Sequence, residues 1–308
     1  MFERLWIYQR ERFPLLVHGP VIAALALSAT SFAWLTRQQT GLPGFKPFLV
    51  AFISSLGFFF QLRVADEWKD FADDVRFQPY RAVPRGLISL QELTLLGFAV
   101  GGIQLALALW LDARLLVALL FVWVFMALMT AEFFLPQWLL LHPLAYLTSH
   151  MLIVPLIYLY SAACAGGSPE VFVRTPMLLL LAAGFFSGIV VEMGRKLRAP
   201  EEEQSGVRTY SVIWGIGKSV AAWNLALLLA GGMAILAAVI AECLTTALAL
   251  LLPGLAVAVL CSLFYLKEPT PSNSKLVNVA SGCWVLLLYI AMGPPMLLLK
   301  MVSQWRRL

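Results

Sequence analysis

Long apolar stretches follow one another along most of the chain, and short charged segments separate them. Stretches of bilayer-spanning length occur at about 15–35, 47–64, 87–110, 114–134, 138–160, 176–194, 219–241, 244–266 and 276–300. Their apolar residues run continuously and do not alternate at every second position, so the pattern favours helices over a β-barrel. We therefore predict an all-α integral membrane bundle of about nine transmembrane helices.

Composition supports a membrane protein with a single domain. The 308 residues are 61% hydrophobic and 13% charged, and the mean hydropathy is +0.84. These values lie outside the range that is usual for a soluble domain. No long linker interrupts the apolar segments, so residues 1–308 are expected to form one polytopic membrane domain. The first segment is long enough to span a bilayer, and we expect it to remain in place instead of being cleaved as a signal peptide.

The distribution of basic residues predicts an orientation. Most of the 22 Lys and Arg residues fall at helix ends on the side of the N-terminus. The positive-inside rule then places the N-terminus and the two most charged loops in the cytoplasm, and the C-terminus on the opposite side. The net charge of +5 is explained by this bias and by anionic lipid headgroups, so it does not indicate nucleic-acid binding.

The first charged loop follows the second predicted helix and reads RVADEWKDFADDVRFQPYRAVPRG. If that helix continues, Asp66, Asp70 and Asp74 recur one turn apart and share a face. Like charges at this spacing destabilise a helix by about 0.2–0.5 kcal/mol per pair, and a bound cation would remove the repulsion. Clustered carboxylates without His or Cys favour a hard ion, and Mg²⁺ commonly bridges one or two carboxylates to phosphates.

Basic residues accompany the acids in this loop and in a second loop at about residues 195–217, and a phosphate-bearing ligand would explain them. The candidate phosphate-binding residues are Arg76, Arg81 and Arg85 in the first loop and Arg195, Lys196 and Arg198 in the second. The alternative is an interfacial helix whose acids form ion pairs with these same bases.

The first loop resembles the first aspartate-rich motif of the UbiA superfamily of intramembrane prenyltransferases. That motif reads N-D-x-x-D-x-x-x-D and is followed by P-x-R-P-x-P-x-G. In an alignment without gaps, Asp66 takes the Asn position, Glu67 the first Asp position, and Asp70 and Asp74 the later ones. The downstream segment is matched at Pro79, Arg81, Pro84 and Gly86. Nine helices with acid-bearing loops after the second and sixth are similar to the family's plan along essentially the whole chain.

The second loop departs from the family's D-x-x-x-D arrangement. The chain reads EMGRKLRAPEEE, with Glu192 near the first acid position and bases at Arg195 and Lys196. The following GVRTYSVIWG resembles the family's segment that enters the seventh helix. The resemblance implies a catalytic, Mg²⁺-binding set of Asp66, Glu67, Asp70, Asp74 and Glu192. The second loop either shares in metal binding or holds a diphosphate directly through its bases.

The resemblance also implies a function. It is Mg²⁺-dependent ionisation of an isoprenyl diphosphate, followed by transfer of the prenyl group to a lipophilic acceptor such as an aromatic ring. A membrane terpene cyclase that acts on the prenyl diphosphate alone is the alternative within the same superfamily. A transporter without chemistry is a third hypothesis, because polar residues within membrane segments are also typical of transporters.

Two further polar residues lie in apolar surroundings. The stretch AEFFLPQWLLLHPLAY contains no Lys or Arg, although relatives often carry a base there, and its second residue, Glu132, lies near the predicted cytoplasmic end. Glu132 is either an interfacial acid or a base that contacts the acceptor. His150, in the fifth predicted helix, either faces the cavity as a proton acceptor or forms a hydrogen bond between helices.

Overall fold

The computed structural model describes residues 2–39, 41–167, 173–204 and 206–305, and the described chain is built from helices. In chain order they are α1 (Phe2–Arg12), α2 (Leu15–Thr36), α3 (Phe45–Lys69), α4 (Phe71–Phe77), α5 (Leu90–Leu111), α6 (Leu115–Thr130), α7 (Pro136–Leu141), α8 (Pro143–Met151), α9 (Ile153–Cys164), α10 (Thr175–Gly194), α11 (Tyr210–Trp214), α12 (Ile216–Ile240), α13 (Leu244–Lys267), α14 (Pro271–Ala291) and α15 (Pro294–Trp305). Single 3₁₀ turns lie at Glu132–Phe134 and Pro200–Glu202.

The predicted membrane segments are confirmed within these described residues. Eight helical segments are long and apolar enough to cross a bilayer: α2, α3, α5, α8 with α9, α10, α12, α13, and Pro271–Leu299. The shorter apolar helix α6 corresponds to the remaining predicted segment. The architecture is therefore an all-α membrane bundle.

Two predicted helices are interrupted, and proline explains both breaks. Pro155 has no N–H to donate to the carbonyl of Met151, and the chain breaks between α8 and α9 at this point. The predicted continuous helix over 276–300 is likewise divided, because α14 ends at Ala291 and α15 begins with Pro294 and Pro295.

Helix α1 precedes the membrane segments and binds to the first charged loop. Arg12 forms an ion pair with Glu67 (2.5 Å). Glu11 forms another with Arg85 (2.8 Å), a residue of the same loop. The N-terminal helix and the loop after α3 consequently lie at the same end of the bundle.

Small residues allow the helices of the second half to approach closely. Helix α12 buries several alanines and Gly231 against its neighbours, an interface composition that is common between membrane helices. At the end of α10, a Cβ on Gly194 would lie 2.0 Å from the Oγ atom of Ser281 in α14. The position therefore requires glycine, and this close contact fixes the point at which the second charged loop begins.

Candidate active site

The acids of the first loop keep the predicted one-turn spacing through a bend at Asp70. The backbone N–H of Asp70 donates to the carbonyl of Asp66 (2.9 Å), and that of Asp74 donates to the carbonyl of Asp70 (2.8 Å). Helix α3 ends at Lys69 and α4 begins at Phe71, so the three acids span the junction of two helices.

Two acids of this loop already have an arginine partner. Glu67 is buried, and the Nε atom of Arg12 lies 2.5 Å from its carboxylate. Asp74 is also buried, and the Nη1 atom of Arg81 donates to both of its oxygens at 2.7 Å. Removing one partner of a buried ion pair typically costs about 3–5 kcal/mol, so these contacts hold the loop in place.

Asp66 and Asp70 form fewer and longer contacts with basic side chains than Glu67 and Asp74 do. Asp66 is partly exposed, and its nearest cation is the Nη1 atom of Arg63 at 3.5 Å. Asp70 is exposed and forms no ion pair with any residue that the structure describes. Partial desolvation by the surrounding protein raises the pKa of Asp70, and the charges of Asp66 and Asp74 add to the rise. Of the four acids that match the family's motif, these two therefore have carboxylates that remain available for a ligand.

Glu192, at the end of α10, is buried between two cations. Its Oε2 atom lies 2.5 Å from the Nη2 atom of Arg195, and its Oε1 atom lies 2.8 Å from the Nζ atom of Lys196. The charge of Glu192 raises the pKa of Arg195, against the effect of burial, and the charge of Asp66 adds to the rise. Arg195 is nevertheless 46% exposed, so its guanidinium can reach a ligand.

The two charged loops are in direct contact. The ring of Phe77, in the first loop, lies against Gly206 of the second, and a Cβ on this glycine would be 2.6 Å from the ring. Gly206 also has a φ of +81°, a conformation that favours glycine. The fold therefore brings together two acid-bearing segments that are far apart in the sequence.

A third charged cluster adjoins the first loop. Lys69 forms an ion pair with Glu132, and the Nε2 atom of His150 lies 3.2 Å from the Oε2 atom of the same glutamate. The ring of Tyr146 stacks on His150 with a centroid separation of 3.9 Å. Lys69 was not among the site residues predicted from the sequence. The signal for Lys69 was its position as the one base within the acidic run that begins at Asp66.

Comparison with known protein families identifies the family of the chain. The UbiA prenyltransferase family matches residues 19–299. The chain belongs to this family. The predicted resemblance is thus confirmed over nearly the whole length.

Solved structures with the UbiA fold are similar to this chain. A UbiA homologue from Aeropyrum pernix K1 superposes with a TM-score of 0.65 at 14% identity, over 86% of this chain and 96% of that one. A digeranylgeranylglyceryl phosphate synthase superposes with a TM-score of 0.58 at 17% identity, over 94% and 98% of the two chains. At such identities the likeness shows the fold. No curated protein sequence matches the chain.

The bases of this UbiA protein divide into two groups. Arg195 and Lys196 lie at the acid-bearing end of α10, whereas the bases of the first loop make other contacts. Arg81 holds Asp74, and Arg85 pairs with Glu11 in α1. Arg76 is exposed, and its guanidinium lies 5.0 Å from the ring centroid of Phe77. For Arg198, the main chain is held by the Ser211 hydroxyl (2.8 Å) and the Tyr265 hydroxyl (2.7 Å).

The carboxylates of this UbiA protein fit a metal that is completed by other ligands. Among the described residues, no three His, Cys, Asp or Glu side chains converge as a preformed metal site. Asp66 and Asp70 offer two carboxylates one turn apart. Mg²⁺ is commonly bound by one or two carboxylates together with waters and substrate phosphates. The donor set therefore fits one Mg²⁺, and it does not form a cage made only of protein atoms.

An apolar groove of about 410 Å³ lies beside the third cluster. Phe133 and Ser149 belong both to its lining and to the surroundings of His150. None of the site carboxylates lines this groove. Its lining is mostly apolar, and it includes none of the acids or bases of the two charged loops.

Proposed function

We propose that this UbiA-family protein is a Mg²⁺-dependent intramembrane prenyltransferase. It would ionise an isoprenyl diphosphate and transfer the prenyl group to a lipophilic acceptor such as an aromatic ring. The contact between the two charged loops at one end of an apolar bundle carries the proposal. This arrangement offers carboxylates for a metal, cations for phosphate, and hydrocarbon surroundings for a prenyl chain.

The proposal assigns different roles to the acids. Of the four acids that match the family's motif, Asp66 and Asp70 hold Mg²⁺, because neither is buried in a close ion pair with arginine. The bound ion would neutralise charge on the diphosphate as it leaves. Glu67 and Asp74 keep the loop folded through Arg12 and Arg81, a narrower role than the metal-binding one predicted from the sequence.

The second loop supplies fixed positive charge. Arg195 and Lys196 bind the diphosphate through charge-assisted hydrogen bonds, and Glu192 orients both cations from its position one turn earlier. Cations that are already in place stabilise the developing negative charge without reorganising during the reaction. Lys196 occupies the place where the family's second motif carries its second acid, so here a side-chain cation takes over part of the neutralisation.

The apolar bundle provides the second requirement of the reaction. Once the carbon–oxygen bond breaks, the prenyl cation must be shielded from water until its acceptor captures it. We place the N-terminus and both charged loops on the cytoplasmic side, and the C-terminus on the opposite side. The ion pairs between α1 and the first loop are compatible with this orientation.

Cyclisation of the prenyl diphosphate is the second candidate function. It needs the same ionising residues and no acceptor. Glu67 and Lys196 depart from the family's acid pattern, and these departures are the reason to retain cyclisation as an alternative function. Transport without chemistry is the third, and it predicts that no diphosphate is released.

The deciding experiment uses purified protein with geranyl, farnesyl and geranylgeranyl diphosphates plus Mg²⁺, with and without membrane lipid extract. Diphosphate release and organic-soluble products are measured together, with Asp70→Asn as the inactive control. A conjugate that depends on the extract supports transfer. A cyclic hydrocarbon formed without extract identifies a cyclase. Movement of substrate into proteoliposomes without diphosphate release would contradict both enzymatic functions.

A further inference from the structure

A strained turn presents Glu132 to the third cluster. Glu132, Phe133 and Phe134 have φ values of 50°, 51° and 62°, so three consecutive residues without glycine adopt the left-handed region. Such a conformation is costly and persists only where surrounding contacts hold it. Here the Phe133 ring packs edge-on against Phe125 and His150, with centroid separations of 5.6 and 5.8 Å.

The hydrogen bonds of His150 provide partners for two protonation states. Its Nδ1 atom lies 2.9 Å from the carbonyl oxygen of Tyr146 and therefore carries a proton that it donates. Its Nε2 atom lies 3.2 Å from the Oε2 atom of Glu132 and 3.4 Å from the Nζ atom of Lys69. A protonated Nε2 can donate to Glu132, and an unprotonated Nε2 can accept from Lys69.

The carboxylate of Glu132 needs this histidine. Its Oε2 atom is buried, and no hydrogen-bond donor other than a protonated His150 lies near it among the described residues. An unsatisfied buried oxygen is costly, so the imidazolium state completes the cluster. Burial opposes ionisation of Glu132, but the hydrogen bonds from His150 and Lys69 outweigh burial and lower the pKa of Glu132.

The surroundings of the pair connect it to the candidate active site. Lys69 reaches it from α3, and Tyr146 and Ser149 reach it from α8. The hydroxyl of Tyr146 lies 3.5 Å from the Nζ atom of Lys69. The carboxylates in the neighbourhood of this hydroxyl include those of Glu132, Asp66 and Asp70, and that of Glu192 in α10. The cluster therefore faces both charged loops.

The buried acids of the two charged loops are already occupied. Glu67, Asp74 and Glu192 each contact an arginine or lysine. His142 is exposed and stacks on Trp138.

We propose that Glu132 and His150 form the proton-accepting pair of this site, an inference that rests on the proposed function. The carbon–oxygen bond breaks with its electron pair leaving on the diphosphate, and an electron pair of the acceptor forms the new bond to the prenyl carbon. The prenylated acceptor then loses a proton. The electron pair of the bond that held this proton stays with the acceptor. This proton enters at Glu132, whose side chain is 19% exposed, and comes to rest on the Nε2 atom of His150, a residue whose side chain is only 7% exposed. In a cyclisation the same pair removes a proton from the carbon next to the cationic centre of the ring. The electron pair of that C–H bond then forms the double bond.

The test compares Glu132→Gln and His150→Gln with a matched control, His142→Gln. Diphosphate release, the neutral prenylated or cyclised product, and prenyl alcohol are each quantified across the pH range in which histidine titrates. We expect product formation in both pair variants to fall by about 100-fold, the scale of a lost general base. It should fall more than diphosphate release, prenyl alcohol should rise, and the acidic limb of the pH profile should disappear. The control should keep the parent profile. Unchanged product share and pH profile in both pair variants would overturn the proposal.

A second measurement does not depend on turnover. The ring nitrogens of His18, His142 and His150 are followed by ¹⁵N NMR during a pH titration of the parent and of Glu132→Gln in detergent. Loss of the carboxylate should make His150 take up its second proton at lower pH and leave His142 unchanged. An identical His150 titration in the two proteins would refute the pairing. Absence of diphosphate release from the parent protein would instead refute the proposed function, and the titration would still decide whether the pair exists.

Discussion

Asp70 and Asp74 look equivalent in the sequence, but the structure predicts opposite consequences when each is changed to asparagine. Asp70 forms no ion pair with a described residue, and partial desolvation and the neighbouring carboxylates raise its pKa. A carboxyl group whose pKa is raised by folding reduces stability at every pH where it is ionised. Asp70→Asn should therefore leave the metal-free protein at least as stable as the parent at neutral pH.

Asp74→Asn should instead lower the stability of the metal-free protein. It replaces a buried carboxylate that accepts from Arg81 on both oxygens at 2.7 Å. Removing one partner of a buried ion pair costs about 3–5 kcal/mol of stability. Because Arg81 is 21% exposed, we expect the free energy of unfolding to fall by about 3 kcal/mol.

The effects on chemistry are reversed as well. Loss of a metal-binding carboxylate at Asp70 should reduce Mg²⁺-dependent diphosphate release by about 100-fold or more. Even mutation of a residue that only hydrogen-bonds to a metal ligand typically lowers metal affinity or activity by about 10- to 100-fold. Asp74→Asn should retain most of the release per folded molecule.

The assay combines unfolding in detergent, Mn²⁺ binding, and diphosphate release at saturating geranylgeranyl diphosphate and Mg²⁺. Asp73→Asn is the matched control, because Asp73 is an exposed acid in the same short helix. Diphosphate release by Asp70→Asn at the parent rate would refute the metal assignment. Equal stability of the Asp70 and Asp74 variants would refute the division of roles between these acids.

The remaining predictions concern the second loop. Arg195→Gln and Lys196→Gln should each raise the KM for prenyl diphosphate, without loss of Mn²⁺ binding, because each removes a cation from the proposed diphosphate site. Lys218→Gln, an exposed control at the start of α12, should leave both unchanged, and parental kinetics in both loop variants would contradict the assignment. Gly194→Ala should lower stability by about 1–3 kcal/mol, because the added Cβ would lie 2.0 Å from the Ser281 hydroxyl. Denaturation in detergent tests this, and failure of Ser281→Gly to restore any of the loss would argue against a steric cause.

Local spacing predicted those parts of the site that depend on one helix. The one-turn separation of Asp66 and Asp70 survives in the structure. The contacts of Glu192 with Arg195 and Lys196 span three and four residues, the distances at which helical side chains meet. The apolar lengths likewise predicted the membrane segments, because the bilayer thickness sets the length of a spanning helix.

Tertiary contacts account for what the sequence did not predict. Glu67 and Arg12 are separated by 55 residues, and nothing in the spacing of either indicates that α1 folds back on the acid loop. Arg81 and Arg85 were grouped with the phosphate-binding bases because they accompany the acids, yet their guanidinium groups contact Asp74 and Glu11. Pro155 and Pro294 are visible in the sequence, but the hydropathy is continuous across them and gives no sign that the helices break there.

The ion pairs around the site explain how the chain tolerates so many acids beside an apolar bundle. Buried carboxylates are costly unless a charge partner accompanies them, and Glu67, Asp74 and Glu192 each have an arginine that folding places there. Asp66 and Asp70 lack such a close partner, and in the proposed mechanism a ligand relieves their repulsion. Under that proposal, side chains balance the charges that stay constant, whereas Mg²⁺ balances the charge that changes as the diphosphate leaves. On this view the departures from the family's acid pattern at Glu67 and Lys196 move part of the neutralisation from bound ions to the chain itself.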